Sequence, residues 1–350
     1  MSHLRTGHAL AFLLPILGLG LASCGSSSPV PQVNDASIAP DAALLDAAIP
    51  DANGCACPGT ELLSREHFVD IWDFVDDGYF GELRRCEVPT DQLIAGGCSF
   101  QDPGNGDSLI ENTFESDRIR WVCARLSANL FLDFFIRCVR PLDRTGEIGE
   151  ECTCPAYETP AERFFYVEQA VTVPAQGVAG VDTTCPAGST LIGGGCKGGH
   201  SGLSGDALVI GGGIRPDDPQ TWNCSWHAPG NGPLSSIATG VCLNAPGPDA
   251  VTGESVAPEL FEHVNVEETL APNSTRIIDA TCDPGDTLIS GGCHVEDASI
   301  EIANLRLKRS SMLRPEENRP NTWQCAWHNR TAASPRVIAT ATCMKAAAPQ

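Results

Sequence analysis

The sequence predicts an all-β protein of three tandem, disulfide-stapled, antiparallel β-sandwich-like modules that follow a disordered tether. A set of four cysteines occurs three times in the same local setting, which indicates one cross-linked module copied in tandem. Between the cysteines, short β-rich segments alternate with turn residues, without ten-residue helical patterns. The three sets are Cys86, Cys98, Cys123 and Cys138; Cys185, Cys196, Cys224 and Cys242; and Cys282, Cys293, Cys325 and Cys343.

The residues around the cysteines repeat as well. The second cysteine of each set ends a similar word, which reads QLIAGGC, TLIGGGC and TLISGGC in turn. The third cysteine lies in IRWVC, TWNCSWH and TWQCAWH. We therefore assign repeat 1 to residues 55–141, repeat 2 to residues 152–245 and repeat 3 to residues 260–346. Each repeat is near the lower size at which one core suffices, so additional covalent ties are expected.

The β-rich segments within a repeat have the two-residue period of strands. Residues 167–173 and 264–270 alternate in part, and a turn follows each of them. Repeat 1 is ambiguous at this point, because apolar residues between Phe68 and Val75 recur at helical spacing. The distance from Val69 to the first cysteine nearly equals the corresponding distance in repeat 2. We therefore predict a strand in repeat 1 as well.

The tryptophans near the third cysteine are predicted to lie in the core. One face of the strand in repeat 2 carries Trp222, Cys224 and Trp226. Before the fourth cysteine, repeats 2 and 3 carry small residues, such as Ala238. Repeat 1 instead replaces the second tryptophan with Arg125 and the small residues with Phe134 and Ile136. Volume is exchanged between facing positions, as dense packing requires, so we predict that the two strands pack together.

The amino-terminal residues resemble an export signal. Residues 9–22 form an apolar run that is too short to span a bilayer comfortably, which is typical of a signal peptide. The sequence LASCG at residues 21–25 then resembles the lipobox of bacterial lipoproteins. This resemblance implies a signal peptide of residues 1–23, a lipid on the Cys24 thiol and, because Gly25 follows, the outer membrane. An ordinary cleaved signal peptide or a buried helix is the alternative interpretation.

Residues 24–54 are predicted to tether the folded part to the lipid on Cys24. The segment consists mainly of Ser, Pro, Ala and Asp and contains no aromatic residue. Such a composition cannot bury enough apolar surface to offset the entropy of ordering the chain. We therefore expect a disordered segment that holds the modules away from a membrane surface.

The cysteine count indicates the compartment in which the protein resides, and the net charge indicates which classes of partner it can bind. Removing Cys24 from the seventeen cysteines leaves sixteen, an even number, which in an oxidising envelope is explained by disulfides. The formal net charge is −22, and the only basic group that stands out is Arg306, Lys308 and Arg309. Phosphate backbones and anionic lipid surfaces would be repelled, so nucleic acid is not an expected partner.

The repeats resemble a short β-module that is found in many secreted and surface proteins of bacteria. The shared pattern is C-P-x-G-x-x-L-I-x-G-G-C, then R-P before W-x-C, then A-T-x-C. It covers most of residues 163–345 and, less well, residues 65–140. The resemblance implies no general activity. It implies pairing of the first cysteine with the fourth and of the second with the third, whereas the sequence alone allows three pairings in each repeat.

Two C-x-C motifs precede the first two repeats. They are Cys55 with Cys57, and Cys152 with Cys154. Paired C-x-C motifs can form a four-thiolate zinc site or a redox couple. No thioredoxin-like pattern surrounds them, and thiolates in an oxidising space become disulfides, so we predict structural bridges. No metal or other cofactor is predicted for this chain.

Motifs for chemistry are weak. Residues 106–109 spell the GDSL of esterases, in which Ser108 would be the nucleophile, but no D-x-x-H follows to supply a base. The glycine-rich residues 193–202 lack the GK[ST] ending of a phosphate loop. His227 and His328 occupy equivalent places and are predicted at surface or edge positions, because no second ligand accompanies them. A weak calcium-loop candidate comprises Asp102, Asn105 and Asp107.

These patterns predict a lipid-anchored protein of the cell envelope with a non-catalytic binding or structural role. Its expected partners are the membrane, through Cys24, and an envelope polymer, a glycan or a protein. One alternative is a lectin-like adhesin that presents matching loops at residues 215–220 and 314–321 on one side. The other alternative is an extracytoplasmic hydrolase of unknown substrate, which would expose a cleft with Ser108 or the repeated histidines beside carboxylates.

Overall fold

Short β-strands dominate every part of the chain that the computed structural model describes. The description covers residues 68–346, apart from 76–80, 89–90, 101–107, 116, 126–131, 140–163, 202–204, 245–259, 297–298, 315–318 and 320. All of these residues belong to one compact unit, Asp46–Gln350. The predicted signal peptide, Cys24, the tether and both C-x-C motifs lie outside the described residues. Within the described part, no helix has the length and apolar character that a membrane span requires.

Each repeat supplies six main strands. Repeat 1 contains β1 (Phe68–Val75), β2 (Gly81–Arg85), β3 (Gln92–Phe100), β4 (Leu109–Phe114), β5 (Arg120–Arg125) and β6 (Leu132–Val139). Repeat 2 contains β7 (Phe164–Val173), β8 (Val178–Thr184), β9 (Ser189–Lys197), β12 (Leu208–Arg215), β13 (Asp218–His227) and β14 (Leu234–Asn244), together with a small ribbon of β10 (His200–Ser201) and β11 (Gly205–Asp206). Repeat 3 contains β15 (Phe261–Thr269), β16 (Ser274–Thr281), β17 (Thr287–Val295), a 3-10 turn at Ile300–Ile302, β18 (Leu305–Met312), β19 (Thr322–Asn329) and β20 (Arg336–Met344).

The six strands of a repeat do not form one sheet. Each repeat gives three strands to one six-stranded sheet and three to another, so that every sheet is shared by two repeats. Repeats 1 and 2 share the order β2-β5-β4-β9-β14-β7, repeats 2 and 3 share β15-β20-β17-β12-β13-β8, and repeats 3 and 1 share β1-β6-β3-β18-β19-β16. The last repeat thus pairs with the first, and the three antiparallel sheets close into a ring.

The junction between repeats lies at the second cysteine of each set. β4 pairs with β9 at Cys196, β12 pairs with β17 at Cys293, and β18 pairs with β3 at Cys98. The glycine before each of these cysteines makes the close approach possible. A Cβ atom added at Gly97, Gly195 or Gly292 would lie 2.4 to 2.6 Å from backbone atoms of the neighbouring repeat. This glycine is therefore required by the contact between repeats.

The preceding glycine of the same motif makes room for a tryptophan. A Cβ atom at Gly96 would lie 2.3 Å from the ring of Trp121. The same relation joins Gly194 to Trp222 at 2.5 Å and Gly291 to Trp323 at 2.2 Å. In each case the glycine and the tryptophan belong to different sheets of one repeat, so the ring fills the space between them. The motif G-G-C thus encodes two packing contacts and one crosslink.

Every repeat has a β-bulge at two equivalent places. The register shifts at Ile94, Ile192 and Ile289 on one set of inner strands and at Ile110, Ile210 and Lys308 on the other. All six bulged residues are buried. The inner strands of the three sheets also contact one another, so these residues lie where the repeats meet. Repeat 3 departs from the pattern, because it places a buried lysine where the other two repeats place isoleucine.

Three of the sequence predictions are confirmed by these observations. The fold is all-β, and the ambiguous segment of repeat 1 is the strand β1. The tryptophans lie in the core, since Trp121, Trp226, Trp323 and Trp327 have 0 to 1 % of their surface exposed and Trp222 has 3 %. The sequence analysis did not predict that the sheets cross the repeat boundaries.

Candidate functional site

The repeated cysteines are all used as crosslinks. In every repeat the first cysteine is bonded to the fourth and the second to the third, which is the pairing that the module resemblance implies. Each bond joins the two sheets to which that repeat contributes. The pairs are Cys86–Cys138, Cys98–Cys123, Cys185–Cys242, Cys196–Cys224, Cys282–Cys343 and Cys293–Cys325. The predicted bridges of Cys55, Cys57, Cys152 and Cys154, and the predicted lipid on Cys24, involve residues outside the described part.

The other motifs with possible chemistry are buried or lie outside the description. Ser108 has no exposed surface and precedes β4 directly, so its hydroxyl group does not face solvent. The glycine-rich segment after Thr190 accommodates neighbouring groups, such as Trp222 at Gly194 and the carbonyl of Ser235 at Gly199. The candidate calcium ligands Asp102, Asn105 and Asp107 lie outside the described residues. Among the residues described, no group of three or more His, Cys, Asp or Glu side chains could hold a metal ion.

The two loops that an adhesin would present follow equivalent strands of different sheets. Arg215, at the end of β12, donates to Asp182 at 2.8 Å and to Asp217 at 2.7 and 2.9 Å. Arg314, after β18, donates to Asp133 at 2.8 Å and lies over the ring of Trp72. Both arginines therefore tie their loops to neighbouring strands. Residues 315–318 and 320 of the second loop are not described.

A cationic cluster lies where β18 and β19 of repeat 3 meet repeat 2. Arg306 of β18 is directly opposite His328 of β19, and residues opposite each other on neighbouring strands have side chains in contact range. His227 ends β13 of repeat 2, opposite Leu208. The two repeats are joined here by Trp327, whose indole N–H donates to the carbonyl of Ile210 at 3.1 Å. The contact between repeats 2 and 3 therefore brings the repeated histidines to the same region of the molecule.

Arg306 is buried, and no carboxylate of the described residues is bonded to it. Only 9 % of its surface is exposed, and its guanidinium group donates to the carbonyls of Ala303 at 2.9 Å and Leu305 at 3.2 Å and to the side-chain oxygen of Asn304 at 3.2 Å. These acceptors are all neutral. Burial, followed by the charge of Arg330, lowers the pKa of Arg306 to about 10. The side chain remains cationic at neutral pH, and buried charges are normally paired with an opposite charge.

The two histidines beside Arg306 are neutral at pH 7. His227 is buried, and its Nδ1 has no hydrogen-bond partner among the described residues. Burial, followed by the charge of Arg306, lowers its pKa to about 4. His328 shares a hydrogen bond of 2.7 Å between its Nδ1 and the hydroxyl group of Thr275. Burial lowers the pKa of His328, as do the charges of Arg330, Lys308 and Arg306.

A third histidine has the opposite surroundings. His200 of β10 lies between Glu111 at 2.7 Å and Asp206 at 3.1 Å, and Glu111 is itself buried. The hydrogen bond that His200 donates to Glu111 is the largest of the influences that raise the pKa of His200 to about 9. This histidine is therefore charged at pH 7 and forms ion pairs that close the ribbon over the sheet of repeats 1 and 2. Its partners are already present, so it leaves no group unsatisfied.

None of the protein-family models matches this sequence, and neither does any curated protein. In the sequence, Arg306 and the two repeated histidines are separate features, and nothing in their spacing places them together. The available signal is that Arg306, Lys308 and Arg309 occupy positions around the bulge of β18 where the equivalent strand of repeat 2 carries apolar residues or glycine. Their convergence with His227 depends on the contact between repeats, which spacing alone does not predict.

Proposed function

We propose that this chain is a lipid-anchored protein of the cell envelope with a non-catalytic binding or structural role. The observation that carries the proposal is the use of the repeated motif. Its cysteines form crosslinks between sheets, and its glycines admit a tryptophan and a neighbouring strand. The residues that recur three times thus stabilise one rigid body.

The crosslinks also support a location outside the cytosol. Disulfides persist in oxidising compartments and are rare where thiols are kept reduced. Six of them within the described residues agree with the export signal and with the lipobox-like sequence that ends at Cys24. More than one acyl chain on Cys24 would hold the protein to a membrane stably, whereas one chain alone binds only marginally.

Labelling with a fatty-acid analogue in a producing bacterium tests the anchor. The wild-type chain should carry the label and sediment with the outer membrane. Cys24→Ala should lose both the label and the membrane association. Cys55→Ala is the matched control, because it removes the cysteine that follows Cys24 in the sequence but lies outside the lipobox-like sequence. This variant should keep the label. Retention of the label in Cys24→Ala would overturn the proposed attachment site.

A binding screen tests the role. The full chain, extracted in detergent, would be exposed to immobilised glycans and envelope polymers. Exchange of residues 215–220 or 314–321 should remove any binding that belongs to the loops, and this result would favour an adhesin. Failure of the folded chain to retain any of these ligands would favour the structural role over the binding role.

A further inference from the structure

The chain holds an unbalanced group of cations in a protein that is otherwise strongly acidic. The formal net charge is −22, with 44 acidic residues against 22 lysines and arginines. Even so, the charges that act on Arg306 and on the neutral side chains of His227 and His328 are those of the cations Arg330, Lys308 and Arg306. No carboxylate of the described residues is among them.

This arrangement differs from that of three other arginines on these sheets. Arg336 pairs with Glu267 and Glu296, Arg276 pairs with Glu268, and Arg137 pairs with Asp70. Arg306 is among the more deeply buried arginines, yet its acceptors are two carbonyls and an amide. Removing a cation from water without an anion is unfavourable, and a protein retains such a group where something else supplies the negative charge.

The polar atoms around Arg306 are directed by rigid elements. β18 and β19 hold Arg306 opposite His328, and the indole bond of Trp327 to Ile210 fixes these strands against repeat 2. The guanidinium group donates to the neutral oxygens of Ala303, Leu305 and Asn304. The buried Nδ1 of His227 has no hydrogen-bond partner among the described residues. Exposed Arg330 adds a further cation at the rim, immediately after β19.

We propose that this cationic cluster, formed by Arg306, Arg330, His227 and His328, is a binding site for one compact oxyanionic group, such as a sulfate, a phosphate or a terminal phosphate or sulfate ester. Charge-assisted hydrogen bonds from the guanidinium groups would hold the anion, and the imidazoles would add neutral donors. The rest of the molecule repels extended polyanions, so a single anionic group fits the site better than a polyanionic chain does. The site is independent of the proposed lipid anchor on Cys24.

Calorimetric titration of the full chain with sodium sulfate, and separately with sodium phosphate, tests the site at constant ionic strength. The wild-type chain should bind at one site and saturate. Arg330→Gln should weaken binding roughly three- to tenfold, because one exposed charge is removed. Arg306→Gln and Arg306→Lys should weaken it by more than roughly tenfold, because the forked donor is lost.

Matched controls separate binding from folding. Arg336→Gln removes an exposed arginine of the same repeat that has its own carboxylates, and it should leave the affinity unchanged within roughly twofold. Arg330 is at the surface, so Arg330→Gln should melt like the wild-type chain and remain informative even if the Arg306 variants unfold. No saturable binding by the wild-type chain, or equal affinity of Arg330→Gln and the wild type, would overturn the proposal.

Competition identifies the source of the anion. A phosphorylated or sulfated sugar tests a glycan source: if it displaces sulfate from the wild-type chain, and does so less well from Arg330→Gln, the result supports the site and assigns it to a glycan terminus. Displacement by inorganic phosphate but not by the sugar esters would support the site and assign it to a free solute. Loss of membrane labelling in Cys24→Ala has no bearing on either result, so the two proposals fail independently.

Discussion

The glycine that faces a tryptophan in each repeat allows the packing of the core to be tested directly. At Gly96, the three nearest atoms to an added Cβ all belong to the ring of Trp121, at 2.3, 2.6 and 2.7 Å. The ring cannot move away freely, because it lies edge-on to Phe114 and its N–H donates to Asn112 at 3.1 Å. Carbon atoms pack at about 3.5 to 4.0 Å, so Gly96→Ala would force the two sheets of repeat 1 apart by about 1 Å.

We expect Gly96→Ala to lower the free energy of unfolding by about 3 kcal/mol, at the upper end of the range for overpacked cores. Urea unfolding of the oxidised chain, followed by tryptophan fluorescence, measures this loss. Gly188→Ala is the matched control, because nothing lies within 4 Å of an added Cβ there, although its positive φ of 85° carries some strain. Steric conflict should make Gly96→Ala clearly worse than the control.

A double variant separates the clash from other effects of alanine. Trp121→Leu shortens the side chain that meets the new methyl group, and on its own it should destabilise the chain by leaving a cavity. Combined with Gly96→Ala, it should cost less than the sum of the two single changes by at least about 1 kcal/mol, because the methyl group then fills part of that cavity. Additive losses, or a loss below about 0.5 kcal/mol for Gly96→Ala alone, would refute the packing argument.

Three further predictions follow from other parts of the structure. Replacing both Cys196 and Cys224 with serine opens a loop of 28 residues and should lower the free energy of unfolding by roughly 3 to 4 kcal/mol, measured by urea unfolding; an unchanged midpoint would contradict this. Burial lowers the pKa of His294 to about 4 in the folded chain, against 6.5 in the unfolded chain. The stability that is present above pH 6.5 is therefore lost as the pH falls towards 4. His294→Asn should flatten this part of a profile of melting temperature against pH, and an identical slope would refute the prediction. Residues 260–346 alone should not form a stable monomer, because β17 and β18 lose their partner strands from the other repeats. Sedimentation measures the monomer and circular dichroism measures cooperative melting. A monomer that melts cooperatively would refute this reasoning.

Part of the architecture could be predicted from local patterns. The strand period, the turn residues and the recurrence of cysteines depend on neighbours within a repeat, so they are visible in the sequence. The burial of Trp222 and Trp226 follows from the same pattern, because one face of β13 carries both rings and Cys224. The exchange of volume at Phe134 and Ile136 also predicts burial, and both side chains are buried.

The candidate site could be predicted only in part. Arg306 and His328 lie on strands of one repeat, and their pairing depends on the bulge at Lys308, which shifts the register by one residue. His227 belongs to another repeat and joins them through the contact between sheets. The sequence places no second ligand beside either histidine, which predicts plain surface or edge positions for both. His227 is instead buried.

The sequence by itself determined the strands, the chemical character of each face and the number of repeats, because these depend on side chains a few residues apart. The tertiary structure alone decided which repeats share a sheet. An inner strand such as β9 has an unpaired edge within its own repeat, and it can be satisfied only by a strand from another repeat. Closing the ring satisfies the inner strands of all three repeats together, and the contact between repeats 2 and 3 brings Arg306, His227 and His328 to the same region.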